Sequence, residues 1–424
     1  MDKFIIEGGT PLQGTLPISG SKNATLPLMA AALLADSPST LTHVPKLRDI
    51  YTFNNVVRVT GTHVTFNEEK NELVIDPGGL VHTEAPYDLV RKMRASFYML
   101  GALLGRTGRA RVSMPGGCAW GPRPVDLHLK GLEAMGVNID LDGGYVVAEA
   151  PERLHGESFT LNPSSVGATI NLILAAVRRA TRFTIRNAAR EPDVVQLCEA
   201  LNSMGANIQG IGTDILTIQA VDTLKGTTLR NAPDRIETGT WMIAACMHPE
   251  SDLTLTDCDP DALGHFPATL RKTGARIKIQ DHTIHVQAPQ TILPVSVETA
   301  VYPGFPTDLQ AQWSTLMTQA QGASVVTDTI YRDRFSYVPE LKRLGATLSV
   351  QENSVQIEGP SHLQGASVMS TDLRASVSLV MAAMVSRGTC EVLRVYHLDR
   401  GYEDLEIKLN RVGASIERAP EESS

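Results

Sequence analysis

One glycine, repeated six times, limits what this chain can fold into more than any other feature. It stands in VVRVTGTHV, GLEAMGVNI, ALNSMGANI, TLRKTGARI, ELKRLGATL and KLNRVGASI, at Gly61, Gly136, Gly205, Gly274, Gly345 and Gly413. The copies lie roughly 70 residues apart, a spacing that marks a repeated α/β unit. In each copy an amphipathic helix runs out, glycine takes the left-handed position that ends it, and an aliphatic or β-branched run starts a strand. Turn residues such as Asp142-Gly143-Gly144 or Glu352-Asn353-Ser354 then send the chain into a return strand. Three return strands share an ending, at Leu154-His155-Gly156, Leu224-Lys225-Gly226 and Leu363-Gln364-Gly365.

The sixth copy reaches Ala419-Pro420 without such a strand, yet the N-terminal FIIEGGTPLQG closely resembles VQIEGPSHLQG of the fifth. Residues Phe4 to Gly14 are therefore expected to supply the missing strand. Three repeats per domain follow, one domain spanning 22–230 and the other combining 1–21 with 231–424, the chain crossing near Gly20 and near Arg230. A length of 424 residues likewise exceeds what one ordinary core holds.

Each repeat also carries a second helix, apolar nearly all round: TLPLMAAALLA, SFYMLGALLG, GATINLILAAV, TWMIAACM and SVSLVMAAMV. Such helices are buried, and their small residues let neighbours approach closely. The copy from Asp308, DLQAQWSTLMTQA, is more polar and departs from the rule. The expected fold class is α/β (α+β), a two-domain inside-out α/β barrel with six repeats, its helices inside and its sheets outside.

A net charge of −8 argues against nucleic acid or an anionic membrane as the main partner and leaves anionic small molecules as substrates. The five cysteines are odd in number, form no C-x-x-C pair and suit a reducing cytoplasm, four of them packing as small hydrophobes. MDKFIIEGGTP shows no secretion signal, and apolar runs such as Leu26 to Ala35 fall short of the about 20 residues that span a bilayer. A cytoplasmic protein is expected, and the sequence leaves the oligomeric state open, a monomer included.

Unusual polar residues gather where the buried helices begin: Ser21-Lys22-Asn23, Met93-Arg94-Ala95-Ser96, Ser165-Val166-Gly167, Asp234 to Thr238, Pro306-Thr307-Asp308 and Thr371 to Arg374. Serine, threonine and aspartate there read first as N-caps. A cation at a helix N-terminus opposes the dipole and needs a partner, either a carboxylate of the chain or a bound anion. For Lys22 and Arg374 the anion is preferred, and six such helix starts facing one cleft would hold a multiply charged one. Lys22, Arg94, Arg123, Arg334, Arg374 and Arg400 could add formal charge. No G-x-x-x-x-G-K-[ST] loop or G-x-G-x-x-G after a first strand is present, and His265, His282 and His285 lack metal-ligand spacing. The remaining conspicuous stretch is MPGGCAWGPRPVDLH, Met114 to His128, where Cys118 sits among glycines and prolines near Arg123. Taken alone it reads as a surface turn; beside a guanidinium its thiol is more easily ionised or poised to donate a proton.

Together with SKNA at Ser21, MRAS at Met93, NAAREP at Asn187, DRIETGT at Asp234, FPTDLQAQ at Phe305, RFSYVPEL at Arg334, TDLRAS at Thr371 and YHLDRGYE at Tyr396, that stretch resembles the UDP-N-acetylglucosamine 1-carboxyvinyltransferase family of enolpyruvyl transferases. The likeness runs from Ile5 to about Arg418. It implies the two-domain inside-out fold and transfer of the enolpyruvyl group of phosphoenolpyruvate to the 3′-hydroxyl of UDP-N-acetylglucosamine, opening peptidoglycan synthesis, with no metal or organic cofactor. By resemblance Cys118 is the general acid and Asp308 the carboxylate that takes the sugar hydroxyl's proton, with Lys22 and Arg400 also in the catalytic set. Lys22, Asn23, Arg123, Arg374 and Arg400 match phosphoenolpyruvate ligands. Arg94, Arg123, Pro124, Val125, Asp126, Leu127, Ser164, Ser165, Val166, Gly167, Asp308 and Ile330 match positions that hold the nucleotide sugar. The likeness further implies that the domains close around the substrates, with Gly116 and Gly117 letting the cysteine loop move as a lid. Pro163 replaces a lysine of well-known members, and AVRRATR at Ala176 and Val59-Thr60-Gly61 also depart. A regulatory homologue without catalysis would be expected to lose Cys118, Lys22 or Asp308, and all three are present. The related shikimate-pathway transferase lacks the cysteine loop and the RPVDLH run.

Overall fold

The computed structural model describes residues 2–91, 93–115 and 125–421. Gly116, Gly117, Cys118, Arg123 and Pro124 lie outside the described residues. All six repeat glycines have positive φ, between 94° and 109°, a region that a side chain would strain. Each follows a helix that has just ended, among them Arg48–Arg58 before Gly61 and Asp126–Ala134 before Gly136.

Six four-stranded sheets form among the described residues, and they share one topology. A first strand lies parallel to a second, which pairs antiparallel with a third, and the third pairs antiparallel with a fourth. Glu84–Ala85, Arg109–Ser113, Tyr145–Glu149 and Asn138–Asp142 illustrate the order. In the last sheet the N-terminal strand Asp2–Glu7 is the third member, between Thr389–Leu393 and Ser415–Pro420. In the preceding sheet Ser354–Glu358 holds the same place, so the likeness of FIIEGG to VQIEGP is one of position too. The expected Phe4-to-Gly14 strand is, however, two elements. Gly8 and Gly9 break it, Gly9 at φ 94°, and Gln13–Pro17 opens a different sheet alongside Asp252–Thr256.

The chain divides into two compact units, one of Met1–Ser19 with Pro233–Ser424 and the other Gly20–Ala232, each with its own apolar core. In the contiguous unit the buried helices are Lys22–Ala32, Tyr98–Thr107 and Val166–Ala176. The last two approach so closely that a Cβ on Gly101 would lie 2.4 Å from the Asn171 carbonyl oxygen and one on Gly105 2.3 Å from that of Leu174. The C-terminal ends of the first two, Lys22–Ala32 and Tyr98–Thr107, are capped by arginine. Arg178 Nη1 donates to the Leu34 carbonyl (2.7 Å), Arg106 Nη1 to that of Ala35 (2.9 Å) and Arg179 Nε to that of Leu104 (2.7 Å). Cations belong at C-terminal helix ends, so the departing AVRRATR segment has a structural role there.

In the other unit the buried helices are Arg235–Ala245, Gln310–Met317 and Leu373–Val385. The polar copy proves as buried as the rest: Gln310, Gln312, Ser314 and Thr315 are all inaccessible. Apart from the Gln312 Oε1, their polar side-chain atoms bond partners inside the unit. Gln310 Nε2 donates to the Arg334 carbonyl at 2.9 Å, and Ser314 and Tyr337 share a hydrogen bond of 2.8 Å.

Candidate active site

In the contiguous unit, Ser21 caps the helix Lys22–Ala32 by accepting from the Ala24 N–H, and Lys22 and Asn23 form its first turn. Lys22 Nζ reaches the nearly buried Asp49 Oδ2 at 3.2 Å. Ser165 caps Val166–Ala176 in the same way, placing Val166 and Gly167 in its first turn after Ser164. Val125 is buried, and Asp126 and Leu127 open the helix Asp126–Ala134. His128, next in that helix, is also buried; its Nδ1 accepts from Asn171 Nδ2 at 2.8 Å, and its ring lies edge-on to Phe97. Asn171 also donates to the Phe97 carbonyl (3.1 Å) and accepts from the Gly101 N–H (2.8 Å). Burial, with the charge of Arg94, lowers the His128 pKa to about 3, so the ring is neutral and carries its proton on Nε2. A Cβ on Gly167 would lie 3.1 Å from His128 Cε1, so glycine there keeps the helix start open to the imidazole. Arg94, His128 and Gly167 thus form one neighbourhood.

In the discontinuous unit, Asp308 sits in the short turn Thr307–Leu309 that leads into the helix Gln310–Met317. Two arginines grip it. Arg334 Nη1 donates to Oδ1 at 2.7 Å and Arg374 Nη2 to Oδ2 at 3.1 Å, the arginines being only 7% and 4% exposed. Arg374 lies in the first turn of Leu373–Val385, capped by Asp372 through the N–H groups of Arg374 and Ala375. Its Nη1 donates to the buried Tyr402 hydroxyl at 3.1 Å. Burial alone would lower the Arg374 pKa, but the Asp308 carboxylate outweighs it and holds the guanidinium firmly protonated. Arg400 closes the short helix Val395–Arg400, two residues before Tyr402. Asp328, wholly buried, accepts from Thr299 Oγ1 (2.8 Å), Thr307 Oγ1 (2.6 Å) and the N–H groups of Ile330 and Tyr331 (both 2.9 Å). One carboxylate therefore fixes both the Ile330 turn and the residue before Asp308.

Both cations for which a bound anion was preferred thus have carboxylates of the chain beside them, Asp49 for Lys22 and Asp308 for Arg374. The N-cap reading holds for Ser21, Ser165, Asp234 and Asp372. Arg334 had been placed only among the cations, and His128, Thr240, Gln312, Asp328 and Tyr402 had no assigned role. Four of these five lie inside the recognised motifs, in RPVDLH, DRIETGT, FPTDLQAQ and YHLDRGYE, and that membership was the available signal. Cys198, Cys246, Cys258 and Cys390 are buried. Burial pushes the thiols of the first three up to about 12.

The family model of EPSP synthase (3-phosphoshikimate 1-carboxyvinyltransferase) matches residues 6–409. A UDP-N-acetylglucosamine 1-carboxyvinyltransferase of Chloroherpeton thalassium is 50% identical over 420 residues, 99% of this chain and 97% of the relative. One of Desulfosudis oleivorans is 49% identical, with 99% of each chain covered. Among solved structures, the enolpyruvyl transferase NikO from Streptomyces tendae superposes with a TM-score of 0.89 at 26% identity, covering 99% of both chains. EPSP synthase from Acinetobacter baumannii, at 18% identity, has the same fold, with a TM-score of 0.79 over 99% of this chain and 100% of that one.

Proposed function

The chain belongs to the EPSP synthase family and, within it, to the UDP-N-acetylglucosamine 1-carboxyvinyltransferases, and from that premise we propose how its residues carry the reaction. It transfers the enolpyruvyl group of phosphoenolpyruvate to the 3′-hydroxyl of UDP-N-acetylglucosamine and releases phosphate, the first committed step of peptidoglycan synthesis.

The chemistry needs a proton on the methylene carbon of phosphoenolpyruvate while the sugar oxygen bonds to the adjacent carbon. The resulting tetrahedral adduct then loses phosphate and a methyl proton, regenerating the double bond. In our reading Cys118 delivers the first proton and Asp308 accepts the proton of the 3′-hydroxyl. Both Asp308 oxygens accept from arginine, Oδ1 from Arg334 and Oδ2 from Arg374, which fixes the plane of the carboxylate that meets the hydroxyl. Lys22, Asn23, Arg123, Arg374 and Arg400 meet the phosphate and carboxylate of the donor. Arg94, Arg123 to Leu127, Ser164 to Gly167, Asp308 and Ile330 hold the nucleotide sugar, with capped helix N-termini offering N–H groups to anionic oxygens. The reading also places the protein in a reducing cytoplasm, in keeping with four buried free cysteines.

The observation that carries these assignments is the carboxylate of Asp308 held at a helix start between Arg334 and Arg374. Phosphate release from phosphoenolpyruvate, followed with and without UDP-N-acetylglucosamine, tests the reaction. Sugar-dependent release is expected, and its absence at saturating substrates would refute the assignment.

A further inference from the structure

The Tyr402 hydroxyl lies at a junction whose hydrogen-bond directions can be worked out. Thr240 Oγ1 is 2.7 Å from the Ile236 carbonyl, which can only accept, so the single threonine proton goes there. Thr240 and Tyr402 are 2.9 Å apart, and with the threonine proton committed, Tyr402 must be the donor of that bond. The tyrosine has then spent its only proton and turns lone pairs toward Arg374 Nη1, 3.1 Å away. Gln312 Nε2 keeps the same polarity, donating to Thr240 Oγ1 at 3.1 Å and to the Asp308 carbonyl at 2.9 Å. The chain of donors runs from guanidinium to phenol to threonine to a helix carbonyl, and the other arm of the guanidinium donates to Asp308. Tyr402, Thr240 and Gln312 are fully or almost fully buried, so no solvent competes for these bonds.

We propose that Tyr402 is a positioning residue for the reaction: with its proton committed to Thr240, its hydroxyl only accepts from Arg374 and so fixes the guanidinium between phenol and Asp308, leaving the guanidinium's remaining N–H groups aimed at the anionic donor. This inference rests on the role given to Arg374 above. A hydroxyl free to rotate would offer its proton to the guanidinium part of the time. Thr240 removes that state, so the threonine matters as much as the tyrosine.

Three variants of the full-length protein test this. Tyr402→Phe removes the acceptor and should raise the KM for phosphoenolpyruvate by about 10- to 100-fold, the range for a lost hydrogen bond to a charged group, with the KM for the nucleotide sugar changing less than about twofold. Thr240→Val leaves the phenol in place but frees its proton, and should shift the same parameter in the same direction. Thr240→Ser keeps the hydroxyl and should restore wild-type values. A donor KM within about twofold of wild type in both Tyr402→Phe and Thr240→Val would overturn the proposal. So would equal losses for both substrates, or a serine variant as impaired as the valine one, since those outcomes mean packing alone. If the wild type shows no sugar-dependent phosphate release, it is the reaction that fails. Calorimetric affinity for phosphoenolpyruvate across the same variants then still decides the relay, no change in affinity refuting it.

Discussion

Replacing Asp308 with alanine separates stability from chemistry. The substitution leaves Arg334 and Arg374, with side chains only 8% and 5% exposed, facing each other without the carboxylate that joins them. Removing one partner of a buried ion pair costs about 3–5 kcal/mol. The Asp308 side chain is 27% exposed, so water already screens part of the pair and about 2 kcal/mol is the better figure here. For a unit of roughly 200 residues that lowers Tm by about 4–8 °C. The two stranded guanidiniums then form an anion trap. Inorganic phosphate at about ten times its Kd returns about 1.4 kcal/mol, or about 3–6 °C. Wild type gains less, because its carboxylate already fills that place. Scanning calorimetry of both proteins, with and without phosphate at matched ionic strength, reads this directly. Turnover should meanwhile fall by about 10²- to 10⁴-fold, the usual contribution of a general base, and phosphate should not restore it. A Tm within about 1 °C of wild type, or equal phosphate stabilisation of both proteins, would refute the claim that Asp308 joins the two arginines.

Two further outcomes follow from buried titratable groups. His128 has a folded pKa of about 3 against 6.5 in the unfolded chain, so its contribution is fully present above pH 6.5 and is lost as pH falls toward 3. At pH 5 it should cost about 2 kcal/mol relative to pH 7, and urea unfolding of His128→Gln should show a pH dependence flatter by that amount; an unchanged slope would mean the ring is protonated in the folded state. With an epoxide phosphonate such as fosfomycin, peptide mass spectrometry should find the adduct on Cys118, since burial holds Cys198, Cys246 and Cys258 as unreactive thiols. A modified Cys246 would move the reactive thiol elsewhere.

Local rules made the repeat legible. A helix that ends and hands over to a strand needs a positive φ, and glycine announces each such place. The central helices were readable for a related reason, since nothing but burial suits a segment apolar on every side. Gln310–Met317 failed that test because most of its polar groups find partners far away in sequence: Thr240 for the Gln312 amide nitrogen, Tyr337 for Ser314 and the Arg334 carbonyl for Gln310. Periodicity does not report partners at that distance. The same limit hid Asp49 behind Lys22 and left Asp328 unremarked, although it shapes the turn at Ile330. His128 was overlooked because an imidazole in a helix gives no hint of its ionisation until Asn171, Phe97 and Arg94 are seen around it.

The N-terminal strand has a consequence for how the molecule is made. Asp2–Glu7 pairs with Ser415–Pro420, so on the ribosome this strand waits for a partner that is synthesised long after it. At about 5–20 residues per second that wait lasts roughly 20 to 80 seconds, during most of which the strand has neither neighbour from its own sheet. The unit Gly20–Ala232 is contiguous and can fold while translation continues. Synthesis therefore delivers the contiguous unit early, and the other is completed only after Ser415–Pro420 has been made.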